Sequence, residues 1–368
     1  MSHYDMVELN KLYNCTSSIA FLLGCSFVNE TACELTRCSR SQASWESVTF
    51  TPGGPHSGHT NLGISGASFS GNTTDNVTAS FSGNYNENGT DFFMHFSTAT
   101  GGEGDRAKLE TRRMTPRRNC TVQCLQFYYY HSGNESDQLN IWMREFDDDN
   151  DPEGTRRLMG QITGPPADYW QLLHVPLNAT KMFQVEFEGQ KGEGNSSGGI
   201  SVDDINLSET ECPHETWQIR NVEQLIASGT LLFSPRYYSR DGYGYQSVVY
   251  FSPMYIFTSI RLVSGENDDQ LEWPCPWRQI TTLMLDQNPD IQQRMSWQWS
   301  FTTDPTSYYR RGPMCEPPPG DRSTYHTYHN YCQLFHNVPF CDRPPHGLGT
   351  NVESLRDMPL MVTCSSSL

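Results

Sequence analysis

From residue 92 onward the sequence alternates apolar and polar residues with a period of two, and this limits the folds open to it. FFMHFSTA (92–99), CLQFYYYHSG (124–133), QLNIWMREF (138–146), YWQLLHVPL (169–177), KMFQVEFEG (181–189) and GGISVDDINL (198–207) are six strand candidates. In the third, Leu139, Ile141 and Met143 share one face; in the fifth, Phe183, Val185 and Phe187 alternate with Gln184, Glu186 and Glu188. That pattern makes a sheet with one buried face and one wet face. Short strands separated by turn residues predict an antiparallel sandwich. A second strand set follows Cys212-Pro213: WQIRNV (217–222), LLFSPRYY (231–238), QSVVYFS (246–252), YIFTSIRLVSG (255–265) and ITTLMLDQ (280–287). MVELNKLYN (6–14), EQLIAS (223–228) and PDIQQRMSW (289–297) predict short helical segments. Residues 51–90 are rich in Gly, Ser, Asn and Thr and read as a long loop. After Asp304 regularity fades. The expected fold class is therefore all-β, with two antiparallel sandwiches in 368 residues.

Composition excludes several function classes. The net charge of −17 opposes a nucleic-acid partner, which needs a basic surface. Mean hydropathy is −0.60 and no run of 18 apolar residues occurs, so no transmembrane helix is expected within the chain. Hydrophobic residues make up only 36%, but 18 Tyr, 18 Phe and 8 Trp supply large apolar areas for a core.

Twelve cysteines and ten N-x-[ST] sequons point to an oxidising, extracellular or cell-surface location. The sequons are at Asn14, Asn29, Asn72, Asn76, Asn88, Asn119, Asn134, Asn178, Asn195 and Asn206, all candidate glycosylation sites. Asp5 and Glu8 stand where a signal peptide would be apolar, so Met1 is expected to be an internal residue of a longer protein.

Motifs with chemical meaning are weak. His214-Glu215-Thr216-Trp217-Gln218 lacks the second His of H-E-x-x-H. Gly194-Asn195-Ser196-Ser197-Gly198 matches a nucleophile elbow in letters but leads into no helix, and reads as a hairpin loop. Gly102–Ala107 fits a loose G-x-G-x-x-A without a βαβ context. Asp147, Asp149 and Asp151 mimic an EF-hand start, but Pro152 and Leu158 break its pattern. Asp203-Asp204 reads as a solvated strand end. His326, His329, Cys332, His336 and Cys341 match no standard zinc spacing. No catalytic residue, metal ligand or cofactor site is assigned to this chain.

Longer motifs carry a resemblance. CSFVNETAC (25–33), GTDFFMHFSTATGG (89–102), CLQFYYYHSGNESDQLNIW (124–142), WQLLHVPL (170–177) and GGISVDDINLSETECP (198–213) resemble a MAM domain. SGENDDQLEWPCPW (264–277) and LMLDQNPDIQQRMS (283–296) resemble a MATH (TRAF-like) domain. MAM followed by MATH is the arrangement of the meprins, astacin-type zinc metallopeptidases, and the wording is nearest that of the beta-type subunits. The resemblance implies a protease-domain remnant and linker at 1–22 and a jelly-roll-like MAM domain at 23–213. It further implies a MATH sandwich at 214–304, missing its last strands, and a divergent Pro/His/Cys-rich tail at 305–368. Such a truncated sandwich would expose open strand edges and be unstable.

The resemblance also implies disulfides Cys25–Cys33 and Cys124–Cys212 and an unpaired Cys15; Cys38 and Cys120 depart from the family pattern as additional cysteines, candidates to pair with each other. The family's intersubunit cysteine has no counterpart in 86–90. Zinc and peptidase activity would belong to a protease domain absent here. The implied function is that of a non-catalytic interaction region, with other meprin-like subunits as partners. Membrane attachment would run only through segments outside the chain, the parent being a single-pass membrane protein. The alternatives are a carbohydrate-binding or adhesion β-sandwich without a link to proteolysis, or a TRAF-type adaptor.

Overall fold

The computed structural model describes residues 21–27, 33–39, 43–59, 92–117, 121–251, 255–273, 278–285, 296–302, 336–339 and 357–366. The chain divides into two compact units, Met1–Cys212 and Pro213–Leu368.

The first unit is built from two antiparallel sheets. Its strands are β1 (Phe21–Cys25), β2 (Leu35–Ser39), β3 (Trp45–Val48), β4 (Phe93–Ser97), β5 (Arg106–Thr111) and β6 (Gln123–His131). They continue with β7 (Gln138–Phe146), β8 (Thr155–Ile162), β9 (Gln171–Leu177), β10 (Met182–Gln190) and β11 (Gly199–Ser208). One sheet has the order β3-β4-β11-β6-β9, with β1 also paired to β11; the other runs β2-β5-β10-β7-β8. All six expected strands of this region are present. The alternation does what its period requires: Leu139, Ile141, Met143, Phe183, Val185 and Phe187 are fully buried in the core between the sheets. Leu125, Phe127, Ile200 and Val202 meet them from the facing sheet. The Trp45 indole crosses between sheets, donating Nε1–H to the Ala107 carbonyl at 3.1 Å.

The last strand, β11, lies in the middle of its sheet. Its first half pairs with β4 and its second half with β1, while β6 runs along its other side. The register shifts between Asp203 and Asn206, where Asp204 adopts φ 46°. This is a bulge that bends the strand as it changes partner. Just beyond β11, Cys212 is bonded to Cys124 at the start of β6, closing a span of 88 residues. Cys25 is bonded to Cys33.

The second unit contains β12 (Glu215–Arg220), a helix α1 (Val222–Ser228), β13 (Leu231–Phe233), β14 (Tyr237–Tyr238), β15 (Gly244–Phe251) and β16 (Tyr255–Leu262). It is completed by β17 (Arg278–Met284), β18 (Trp297–Thr302), β19 (His336–Pro339) and β20 (Asp357–Ser366). The helix ends at Gly229, whose left-handed φ of 63° lets its N–H reach back to Ile226 and Leu225. The two sheets are ordered β12-β20-β17-β18 and β13-β15-β16-β19, with β14 also on β15. Among the described residues, one cluster of its core joins Ile219, Val222, Val249, Phe251 and Ile256.

Here the structure differs from the sequence-based expectation. The tail beyond 304 contributes β19 and β20, so the second sheet pair draws strands from beyond residue 304 and β20 fills the gap between β12 and β17. The tail contains an apolar run, DMPLMVTC, that the reading of fading regularity passed over. The predicted helix at 6–14, residues 289–295 of the second predicted helix and most of the 51–90 loop lie outside the described residues; the second helix does not reach Trp297, which instead opens strand β18.

Candidate functional site

The outer face of the β2-β5-β10-β7-β8 sheet carries a charge network centred on Glu186. Antiparallel register sets Glu186 of β10 opposite Glu110 of β5 and Trp142 of β7. Its carboxylate is fully buried beneath three cations: Arg144 Nε at 2.5 Å, Arg156 Nε at 2.9 Å and Lys108 Nζ at 3.2 Å. Arg156 also reaches Glu188 at 3.1 Å and lies 3.9 Å over the Trp142 ring. The Trp142 indole donates to Glu188 at 3.2 Å. Burial by itself would raise the Glu186 pKa, but the hydrogen bond from Arg144, with Arg156 and Lys108, holds the carboxyl below its usual range. The reading of Glu186 and Glu188 as a wet face thus needs correction: their own cations cover them. Charges at alternating positions on four adjoining strands were the signal for this network. On the edge strand β2 of the same sheet, Cys38 is an exposed free thiol, 3.8 Å from Glu110; Cys120 lies outside the described residues.

A second polar cluster ties three loops at one end of the sandwich. Asp137 is fully buried and accepts from the Thr98 hydroxyl at 2.6 Å and from the amides of Asn134 and Gly192, both at 2.8 Å. Lys191 Nζ donates to the Thr98 carbonyl. Ser196 meets Thr98 at 2.7 Å, so the G-x-S-x-G letters serve as loop structure. That segment is not a hairpin, because β10 and β11 belong to different sheets. Gly102–Ala107 likewise forms the turn into strand β5, not into a helix.

The third cluster corrects the expectation for Asp203-Asp204, which are buried within β11 and not a solvated end. His59 fastens the 51–59 loop there. Its amide donates to Asp203 at 2.7 Å, its Nδ1 lies 2.7 Å from Asp204, and its ring stacks on Tyr128 at 3.3 Å. Trp170 holds the same loop by donating to the Ser57 carbonyl at 3.2 Å. Among the described residues no group of three or more His, Cys, Asp or Glu side chains is placed to hold a metal ion.

Four sequons fall on described residues. Asn178 and Asn195 are exposed. Asn134 is half-buried, accepts from its own sequon serine Ser136 at 2.9 Å, and donates to the Asn195 carbonyl at 3.3 Å. Asn206 is only 4% exposed and donates its amide to the Asp204 carbonyl at 2.9 Å, which sets it apart from the other three as a glycan acceptor. Asn14, Asn29, Asn72, Asn76, Asn88 and Asn119 lie outside the described residues.

These arrangements are networks that shape surfaces; none assembles a nucleophile, base and oxyanion donors around a pocket. Comparison with known proteins agrees with a domain of that kind. Residues 25–213 match the family model described as MAM domain, meprin/A5/mu. Meprin A subunit beta of Homo sapiens is 47% identical over 309 residues, 83% of this chain and 40% of that protein. Meprin A subunit alpha of Rattus norvegicus is 36% identical over 310 residues, 81% of this chain and 38% of that protein. MAM domain-containing glycosylphosphatidylinositol anchor protein 1 of Rattus norvegicus is 31% identical over 142 residues, 38% of this chain and 14% of that protein. The chain therefore spans 38–40% of the length of the meprin A subunits it matches. With the MAM model covering more than half of its residues, the chain belongs to the MAM domain family and is a meprin-like member of it.

Proposed function

We propose that this chain is the non-catalytic interaction region of a meprin-like extracellular zinc metalloendopeptidase, and that it mediates subunit association. The observation that carries this reading is the combination of the MAM match over 25–213 with 47% identity to meprin A subunit beta, in a sequence without H-E-x-x-H. The partners are other meprin-like subunits, in homo- or hetero-oligomers. Zinc and peptide hydrolysis belong to a protease domain of the parent protein. Residues 214–304 belong to a MATH-type sandwich that follows the MAM domain in the chain. The location is extracellular or cell-surface, with the parent a single-pass membrane protein, and exposed Asn178 and Asn195 are suited to carry glycans.

The reading is tested by co-secreting the tagged chain with a full-length meprin-like subunit from the same source. Co-purification and absence of chelator-sensitive peptidase activity in the isolated chain are expected. Failure to co-purify with any meprin-like subunit, its own copies included, overturns the association role. Chelator-sensitive hydrolysis by the isolated chain overturns the non-catalytic one.

A further inference from the structure

At one end of the first unit a buried histidine lies near the carboxylate that ties three loops together. His131, the last residue of β6, is 2% exposed, and among the described residues neither ring nitrogen has a hydrogen-bond partner. A polar group left unpaired at that depth costs free energy, and a charge there costs more unless something pairs with it. Burial holds the ring neutral, outweighing the pull of the Asp137 carboxylate and of the main-chain carbonyls of Asp137 and His131 itself. The other charges on the surrounding elements are already placed. Lys191, after β10, gives its ammonium to the Thr98 carbonyl, and Asp105, before β5, accepts from the Gly102 amide. The 163–168 segment is held by the Ala167 amide, which donates to the His131 carbonyl at 2.9 Å. His56, Glu135, Asp168 and Glu193 are exposed. Asp137 is therefore the counter-charge that a protonated His131 meets.

Asp137 is also the knot of the loops. It holds the 132–137 loop through the Asn134 amide, the 191–198 loop through the Gly192 amide, and the end of β4 through the Thr98 hydroxyl. The packing around it leaves no slack: a Cβ on Gly133 would strike the Asp137 carboxylate, and one on Gly192 would strike Ser136. Loops packed this closely cannot drift; they are held or released. We propose that His131 and Asp137 form a proton switch, in which a proton taken up by the His131 ring draws the Asp137 carboxylate away from its amides and frees the 132–137 and 191–198 loops. No covalent bond changes; the proton comes from solvent. Because the buried ring resists charging, the closed state is complete at neutral pH and is lost as the medium turns acid. The loops are thus shut in a neutral exterior and open in an acidic compartment, carrying the sequon residues Asn134 and Asn195 with them. The other buried histidine of this unit, His95, lies on β4 with its Nδ1 at 2.9 Å from the Ser201 hydroxyl, away from the knot.

The test is amide hydrogen exchange of the purified full chain at about pH 7.5 and about pH 5, corrected for the intrinsic pH dependence of exchange. Peptides covering 132–137 and 191–198 should lose at least about tenfold protection in acid, while the middle of β7 and β10 keeps its own. In His131→Phe the acid loss in both loops should fall below about twofold, and in His95→Gln it should remain. Equal loop protection at the two pH values overturns the switch. So does an acid loss that persists in His131→Phe, or one that takes β7 and β10 along with the loops. Should His131→Phe not fold, the native chain labelled in its histidine rings decides the matter: the His131 signal must titrate together with loop opening, and midpoints more than about one pH unit apart overturn the proposal.

Discussion

Both units place their last strand in the middle of a sheet, yet they hold it differently. In the first, β11 enters between β4 and β6, and the Cys124–Cys212 disulfide clamps the chain immediately after it. The core of that unit includes Phe127, Phe183, Phe187 and Val202. In the second, β20 enters between β12 and β17, far along the chain, with an antiparallel ladder on each side. A central strand contributes two ladders, so its loss disrupts a sheet from within; a covalent tie makes that loss rarer.

The contrast can be broken most directly by deletion. Removing residues 357–368 should abolish cooperative unfolding of the second unit and leave that of the first intact, as read by protease resistance of fragments ending near Cys212. Equal resistance of both units after deletion would show that β20 is dispensable. Next in size is the clamp itself. Replacing Cys124 and Cys212 with Ser should destabilise the first unit by up to about 4 kcal/mol, the chain-entropy value for a loop of this length, measured by denaturant unfolding. Glu186→Gln should cost about 3 kcal/mol in the same assay, since Arg144, Arg156 and Lys108 lose the buried charge that compensates them.

Acid should act on the first unit through His95. Burial pushes its pKa from 6.5 down to about 4, so the unfolded chain takes up the proton first. Stability is unaffected by this group above pH 6.5 and declines as pH falls toward 4, the loss reaching about 2 kcal/mol at pH 5. His131, lowered by burial despite Asp137, changes stability in the same direction. His95→Gln should flatten this part of the profile; an unchanged slope would remove His95 as its source. The smallest effect is expected at Leu231 and Phe233, exposed at 44% and 39% on β13. Their replacement by Ser should shift stability by no more than about 0.5 kcal/mol. A larger loss would mean that the second unit's core extends to that edge.

Much of the fold was legible because alternation survives translation into structure: every period-two segment of 92–207 became a strand. Five strands of the first unit, β1, β2, β3, β5 and β8, were not anticipated. Thr155–Ile162 explains why: a register shift opposite Ile141 and Trp142 breaks its alternation, and exposed Leu158 adds an apolar residue on the wrong face. Sheet order was not legible either, since β11 pairs with β4, β6 and β1, all remote in sequence. The Glu186 network was half visible. Its charges alternate on each strand, but which cation meets which carboxylate depends on register across four strands. The buried state of Asp203 and Asp204 was hidden because His59 comes from a loop 144 residues away.

The central position of β11 has a consequence for the order of events in biosynthesis. At roughly 5–20 residues per second, several seconds separate the emergence of β6 from that of β11. Throughout that interval β4 and β6 have no common neighbour, and Cys124 waits as a thiol for a partner 88 residues behind it. The sheet and its clamp therefore close together, late, and only once the end of the domain has left the ribosome.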